Sequence, residues 1–147
     1  MMQLAMDPAV KEAAELLLAL LLGGIVGWER RLRGHPAGIH TNALVALGSA
    51  AFVVAGLTLG GNNQAVVATS VVTGSGFICA GVILHRGANI QGLNTAATLW
   101  CTSATGVMAA VGRPLLATMV GSLVLVTNVV LHYVEHKLCK WPPAPGA

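Results

Sequence analysis

Five stretches of this 147-residue chain, at about 16–28, 41–59, 64–85, 93–112 and 115–134, contain no Asp, Glu, Lys or Arg. A spanning helix needs roughly 20 mostly apolar residues, with about 17 as a practical minimum. Four of the stretches reach that length. The first reaches it if its helix begins earlier, and Asp7-Pro8 supplies the start: Asp is a good N-cap and Pro fits the first helical position. Its first turns, with Lys11, Glu12 and Glu15, then lie at headgroup level, where acids suit a helix N-terminus. The expected fold class is all-α: an integral membrane bundle of five transmembrane helices at about 8–28, 41–59, 64–85, 93–112 and 115–134. Composition closes off the alternatives. Charged residues are 9% of the chain, against about 25% in a soluble domain. That is too few to cover a small water-soluble fold or to keep a chain disordered. A cleaved signal peptide would want a basic n-region and an A-x-A-like site; the only early base is Lys11, amid acids, so an uncleaved first helix is expected.

Orientation follows from Lys and Arg in the short loops. Arg30, Arg31 and Arg33 follow the first span, Arg86 the third, and Lys137 and Lys140 the fifth. Lys11 and Arg113 lie on the other side, so six of the eight bases share one face. The N-terminus is expected outside and the C-terminus in the cytoplasm, with Trp28 and Trp141 in the cytoplasmic aromatic belt. Residues 1–136 read as the transmembrane domain and 137–147 as a Pro-rich cytoplasmic tail.

The two basic loops echo each other. Arg33-Gly34 and Arg86-Gly87 are 53 apart; Gly38-Ile39-His40-Thr41-Asn42-Ala43 and Gly92-Leu93-Asn94-Thr95-Ala96-Ala97 are 54 apart. Upstream, Gly23 and Gly27 align with Gly76 and Ala80, small-xxx-small faces that let transmembrane helices approach closely. Helices 1–2 and 3–4 are therefore expected to form a tandem parallel repeat about an axis along the membrane normal. Helices 2 and 4 would both begin at the cytoplasmic face, with Thr41, Asn42, Asn94 and Thr95 as cap candidates. Helix N-termini beside Arg make a candidate anion site, here with Arg31, Arg33 and Arg86; the competing reading is that these groups only cap helices, set topology and touch lipid. Gly74, Gly76 and Gly81 with Ala80 point to tight packing of helix 3 in the bundle centre.

Inside the spans the polar groups are neutral: Thr69, Ser70, Thr73 and Ser75 on helix 3, Thr98, Thr102, Ser103 and Thr105 on helix 4, Thr127 and Asn128 on helix 5. Such residues more often join helices than line a pore. Pumps and many transporters place ionisable groups at mid-membrane, and Mg²⁺ calls for charged oxygen ligands; neither occurs here. Glu29, at the edge, is expected to pair with Arg30, Arg33 or Arg86. His35, His40 and His85 lack metal-ligand spacing, so no metal or cofactor is expected. Cys79 and Cys101 read as packing residues. An enzyme acting on lipid headgroups would have only His40, His85 and Glu29 to work with, so no enzymatic activity is expected.

Four segments in order resemble the MgtC/SapB family of bacterial inner-membrane proteins: Gly23-Gly24-Ile25-Val26-Gly27-Trp28-Glu29-Arg30, Ala37 to Val45, Val71 to Ile83, and Gly92-Leu93-Asn94-Thr95-Ala96-Ala97-Thr98-Leu99-Trp100-Cys101. The likeness covers about residues 16–115. His40 stands where the family usually has Arg, and Cys79 where it usually has Gly. Longer members go on into a soluble cytoplasmic domain that has no counterpart in this sequence. The resemblance implies a regulatory role in magnesium homeostasis, growth in low magnesium and virulence through intramacrophage survival. Contacts with other membrane proteins are implied, ATP synthase or a small membrane peptide among them; the Gly-rich helix faces themselves also suit a homo-oligomer, and no nucleic-acid partner is expected. Its motif positions here are Glu29, Arg30, Gly38, Thr41, Asn42, Gly92, Asn94 and Thr95. The alternative is a channel or transporter for Mg²⁺ or another small solute.

Overall fold

The structure, a computed structural model, describes residues 7–59, 64–86 and 89–138, without the side chains at 64, 84–86, 89, 135, 136 and 138. Gly87, Cys139, Lys140 and Trp141, the 60–63 loop and the side chains of His85 and Arg86 lie outside the described residues. The elements are α1 (Pro8–Leu32), α2 (Ile39–Thr58), α3 (Gln64–Val82), β1 (Leu84–Arg86), β2 (Asn89–Gln91), α4 (Leu93–Ala110) and α5 (Pro114–Leu138). The start of α1 is as expected: Asp7 caps it, accepting the Ala9 N–H at 3.1 Å, with Pro8 at the first position.

Helix 3, expected to run to residue 85, stops at Val82. The chain then forms a small antiparallel hairpin that pairs Leu84 with Gln91, His85 with Ile90 and Arg86 with Asn89. Gly92 explains the break. It sits at φ 88°, and a Cβ there would run into the Val82 carbonyl oxygen. The chain folds back onto the end of α3 before α4 can begin, and only Gly tolerates both the left-handed φ and the contact.

The cap candidates need correcting too. The N-caps of α2 and α4 are Gly38 and Gly92, neither with a side-chain capping bond. Thr41, Asn42, Asn94 and Thr95 lie inside the first turns, and two of them are used across the bundle instead.

Among the described residues, three helical segments are long and apolar enough to cross a membrane: Ile39–Thr58, Ala65–Val82 and Pro114–Val134. The five spans expected from charge-free runs are matched on length and composition by these three. In α1 the uncharged run is short and flanked by charge. In α4 the cause is position: it packs against all four other helices, and it buries Thr95, Thr98, Thr102, Ser103 and Thr105. A helix wrapped by helices need not be as apolar as one wrapped by lipid.

The bundle is inverted relative to a water-soluble protein. Its buried positions are largely small or polar, including Ala19, Gly23, Asn42, Ala46, Ala50, Ser103 and Ala109, while large apolar side chains face out. On α1, Leu17, Leu21, Ile25, Trp28 and Leu32 form an exposed stripe, and the opposite stripe, Ala19, Gly23, Val26, Gly27 and Arg30, is buried. Exposed apolar surface on this scale marks a membrane or partner face.

Small residues decide where helices touch. A Cβ on Gly23 would come within 2.6 Å of the Asn42 carbonyl oxygen, and one on Gly27 within 2.6 Å of that of Gly38, so α1 lies directly on α2. Gly106 of α4 likewise lies against the Ala46 backbone. Helix α3 departs from expectation: a Cβ on Gly74, Gly76 or Gly81 meets nothing within 4 Å, and Ala80 is exposed. Far from the bundle centre, α3 lies at its edge, mainly against α4 and α2.

Helices α2 and α4 begin at equivalent positions, 54 residues apart. Their contacts mix registers. Ser49 meets Ser103 at an offset of 54, but Asn42 meets Thr102 and Ala46 meets Gly106 at an offset of 60. The connections also differ, a short loop in one unit and a β-hairpin in the other.

Candidate functional site: a polar knot at one end of the bundle

The C-terminus of α1 packs on the N-termini of α2 and α4, and α1 and α4 reach α5 there; the motif residues gather at this end. Arg30, in the last turns of α1, is only 2% exposed and is the largest fully buried side chain. Its Nη2 donates to Thr95 Oγ1 at 2.8 Å. The i+3 neighbour, Arg33, turns to α5: Nη1 donates to the Asn128 carbonyl at 3.3 Å, and Nε is ion-paired with Glu29. This is one of the three partners expected for Glu29, at i,i+4 spacing on one helix face.

Asn42 is fully buried. Its Nδ2 donates to the carbonyls of Ala37 and Gly38, both at 3.0 Å, which closes the loop entering α2. Its Oδ1 accepts from Thr102 Oγ1 at 3.1 Å. Thr98 Oγ1 donates to the Asn94 carbonyl at 2.9 Å and approaches Asn128 Oδ1 at 3.5 Å. One layer deeper, the hydroxyls of Ser49 and Ser103 share a 2.7 Å bond. Thr102 and Ser103 of α4 thus tie helices together, as the sequence suggests, and Thr98 reaches Asn128 of α5, whereas Thr105 bonds to the Cys101 carbonyl of its own helix and Thr127 is exposed. The polar residues of α3 stay within it: Thr69, Ser70, Thr73 and Ser75 bond to carbonyls of their own helix.

The knot keeps spare hydrogen-bonding capacity. Among the described residues, Arg30 Nε, Asn128 Nδ2 and both Glu29 carboxylate oxygens are buried without a hydrogen bond, Glu29 having only its ion pair. Buried polar groups normally find partners; Arg30 Nε and Asn128 Nδ2 have none here, while Glu29 is held by its ion pair. His35 lies beside the knot, in the loop after α1. Burial, and then the charges of Arg30, His132 and Arg33, hold its ring below the ordinary imidazole range. Among the described residues no three His, Cys, Asp or Glu side chains come together as a metal site. Cys79 and Cys101 are free thiols.

The remaining candidates are dispersed. Arg31 is exposed and lies over Gly38, the N-cap of α2, while Arg33 points to α5, so the two arginines diverge. Thr41 and Asn94 are exposed. Thr41 lines a groove of about 850 Å³ between α2 and α3, walled mostly by apolar and small residues such as Gly48, Phe52, Gly74 and Ile78. Sequence reasoning missed Gly106, although Thr102, Gly106 and Ala110 repeat the small-xxx-small spacing that marked α1. It also missed His132 and Tyr133, which carry no motif.

The MgtC family profile matches residues 16–137. The chain is 40% identical over 132 residues to Protein MgtC of Salmonella typhi, covering 90% of this chain and 57% of the relative. It is 44% identical over 125 residues to Protein MgtC of Brucella abortus, covering 84% and 52%. The chain therefore spans about half the length of the relatives it matches. No solved structure matches. All four motif segments that form the knot and its surroundings fall inside the matched region, and the chain belongs to the MgtC family.

Proposed function

We propose that this chain is a regulatory protein of the bacterial inner membrane, of the MgtC type. It acts in adaptation to low magnesium and in intramacrophage survival by contact with other membrane proteins, ATP synthase among them. It crosses the membrane with all five helices, N-terminus outside and C-terminus in the cytoplasm. The observation that carries this reading is the bare face of α3. Gly74 and Gly81, seven residues apart and so on one side of the helix, make no close approach inside the chain, and small residues on a lipid-facing helix are the means by which another helix comes close. The inward polar groups support it from the other side: at mid-span they are hydroxyls bonded to each other or to backbone, a fixed scaffold. Purification of the full chain from native membranes, with ATP-synthase subunits as the readout, tests it. Co-purification that is lost in a Gly74→Leu, Gly81→Leu double variant is expected; equal recovery with wild type and variant contradicts it.

A second reading, a channel or transporter for Mg²⁺ or another small solute, has one observation in its favour: the unbonded buried atoms of Glu29, Arg30 and Asn128.

A further inference from the structure

A separate recess of about 450 Å³ lies between the end of α1 and the C-terminal turns of α5, lined by Arg33, Val129, His132, Tyr133 and Lys137. We propose that it binds a phosphate group, with Arg33 and Lys137 supplying the charge and His132 lining the site beside them. The inference is independent of the regulatory reading above.

Three nitrogen-bearing side chains from two helices face one small space. Arg33 commits Nε to Glu29 and Nη1 to the Asn128 carbonyl. A guanidinium has five donors in a fixed fork, so donors remain for a ligand. Lys137 stands 5.1 Å over the Tyr133 ring, which holds its ammonium at the recess by a cation–π contact. Among the described side chains the charge balance is positive; that of Glu135 lies outside them. Glu29 is the described carboxylate at this end, already paired with Arg33, while Arg30 sits behind it and His35 faces His132 from the loop. The C-terminal end of α5 also favours cationic side chains in its last turn through the helix dipole.

Depth points to the same ligand class. The 25 residues of α5 make a helix of about 37 Å, longer than the roughly 30 Å hydrocarbon core. Its last turns therefore reach headgroup level, where basic pockets between transmembrane helices hold phospholipid head groups. Below the recess, Leu123, Val126 and Val130 stay exposed along α5, a track on which an acyl chain would lie. A lipid phosphodiester and a free phosphate present the same oxygens to these residues, and experiment separates the two sources.

The test is native mass spectrometry of the detergent-solubilised full chain, titrated in separate arms with phosphatidylglycerol, phosphatidylcholine and inorganic phosphate. Retention of phosphatidylglycerol over phosphatidylcholine is expected. It should weaken about fivefold for Lys137→Gln, the scale of one basic residue at a membrane surface, and recover in Lys137→Arg. Arg113→Gln, at the other end of α5, should match wild type. Binding of inorganic phosphate, lost in Lys137→Gln, with no preference for phosphatidylglycerol supports the site and assigns it a soluble anion. The proposal is overturned by equal retention of both lipids with no phosphate binding, or by equal losses in Lys137→Gln and Arg113→Gln. His132→Gln gives a second check on a solvent-facing position: wild-type binding in that variant overturns the assignment of His132.

Discussion

Arg30 Nη2 lies 2.8 Å from Thr95 Oγ1, joining the last turns of α1 to the first turn of α4 across 65 residues of sequence. The guanidinium is buried, so this is a charge-assisted bond in a site where water does not replace a lost partner. Thr95→Val should cost about 1.5–3 kcal/mol, the range for hydrogen bonds to charged groups. Thermal unfolding in detergent measures it. Arg30→Met removes the charge as well as its unbonded Nε, so the double variant should be less destabilised than the sum of the singles. Additive losses would show that the two residues are not coupled.

Gly106→Ala and Gly23→Ala should both destabilise strongly, because the new Cβ meets backbone rather than a movable side-chain end. Gly74→Ala and Gly81→Ala should be neutral or stabilising by up to about 1 kcal/mol, the helix propensity gained over Gly. The α3 pair isolates partner contact from folding: a loss of co-purification without a loss of melting temperature is the expected signature.

Asn42 satisfies two carbonyls and one hydroxyl from a buried position. Asn42→Ala should cost about 1–3 kcal/mol through the groups left unpaired. Asn42→Asp should do no better, since it removes the Nδ2 donor that closes the loop onto Ala37 and Gly38. Circular dichroism melts of the two variants, compared with wild type, check both statements.

His35 gives a pH dependence of known sign. Its ring is held below the ordinary value of 6.5, first by burial and then by the charges around it. As pH falls past 6.5 the unfolded chain takes up a proton there before the folded chain does. The stabilising contribution is full above that pH and is lost as pH falls through the folded value. The melting temperature of wild type should drop between pH 7.5 and 5.5, and by less in His35→Gln; an identical drop in both would show that His35 is not the source.

Much of the fold was legible from charge placement alone, because charge is costly in lipid and the gaps between charges mark the helices. Asp7-Pro8 and the Gly23/Gly27 face also read directly, since each depends on local chemistry. What did not read was tertiary. Nothing local distinguishes Gly23, pressed against α2, from Gly76, which meets nothing; the difference is that α1 is central and α3 peripheral. Asn42 and Thr95 look like caps because they stand at the right spacing, but Gly38 and Gly92 start the helices and free those side chains to reach across the bundle. The end of α3 is misplaced because Ile83 and Leu84 continue its apolar run up to the first charge at Arg86, and the left-handed Gly92 that forces the hairpin is invisible without its contact to Val82.

The central claim is that the membrane interior of this chain is a scaffold and not a conduction path. Proteoliposomes containing the purified full chain, loaded with Mg²⁺-sensitive and pH-sensitive dyes, test it most directly. Flux of both ions at the rate of protein-free vesicles is expected. Saturable Mg²⁺ or proton flux that is abolished by Glu29→Gln would contradict it and make the buried carboxylate part of a transport site.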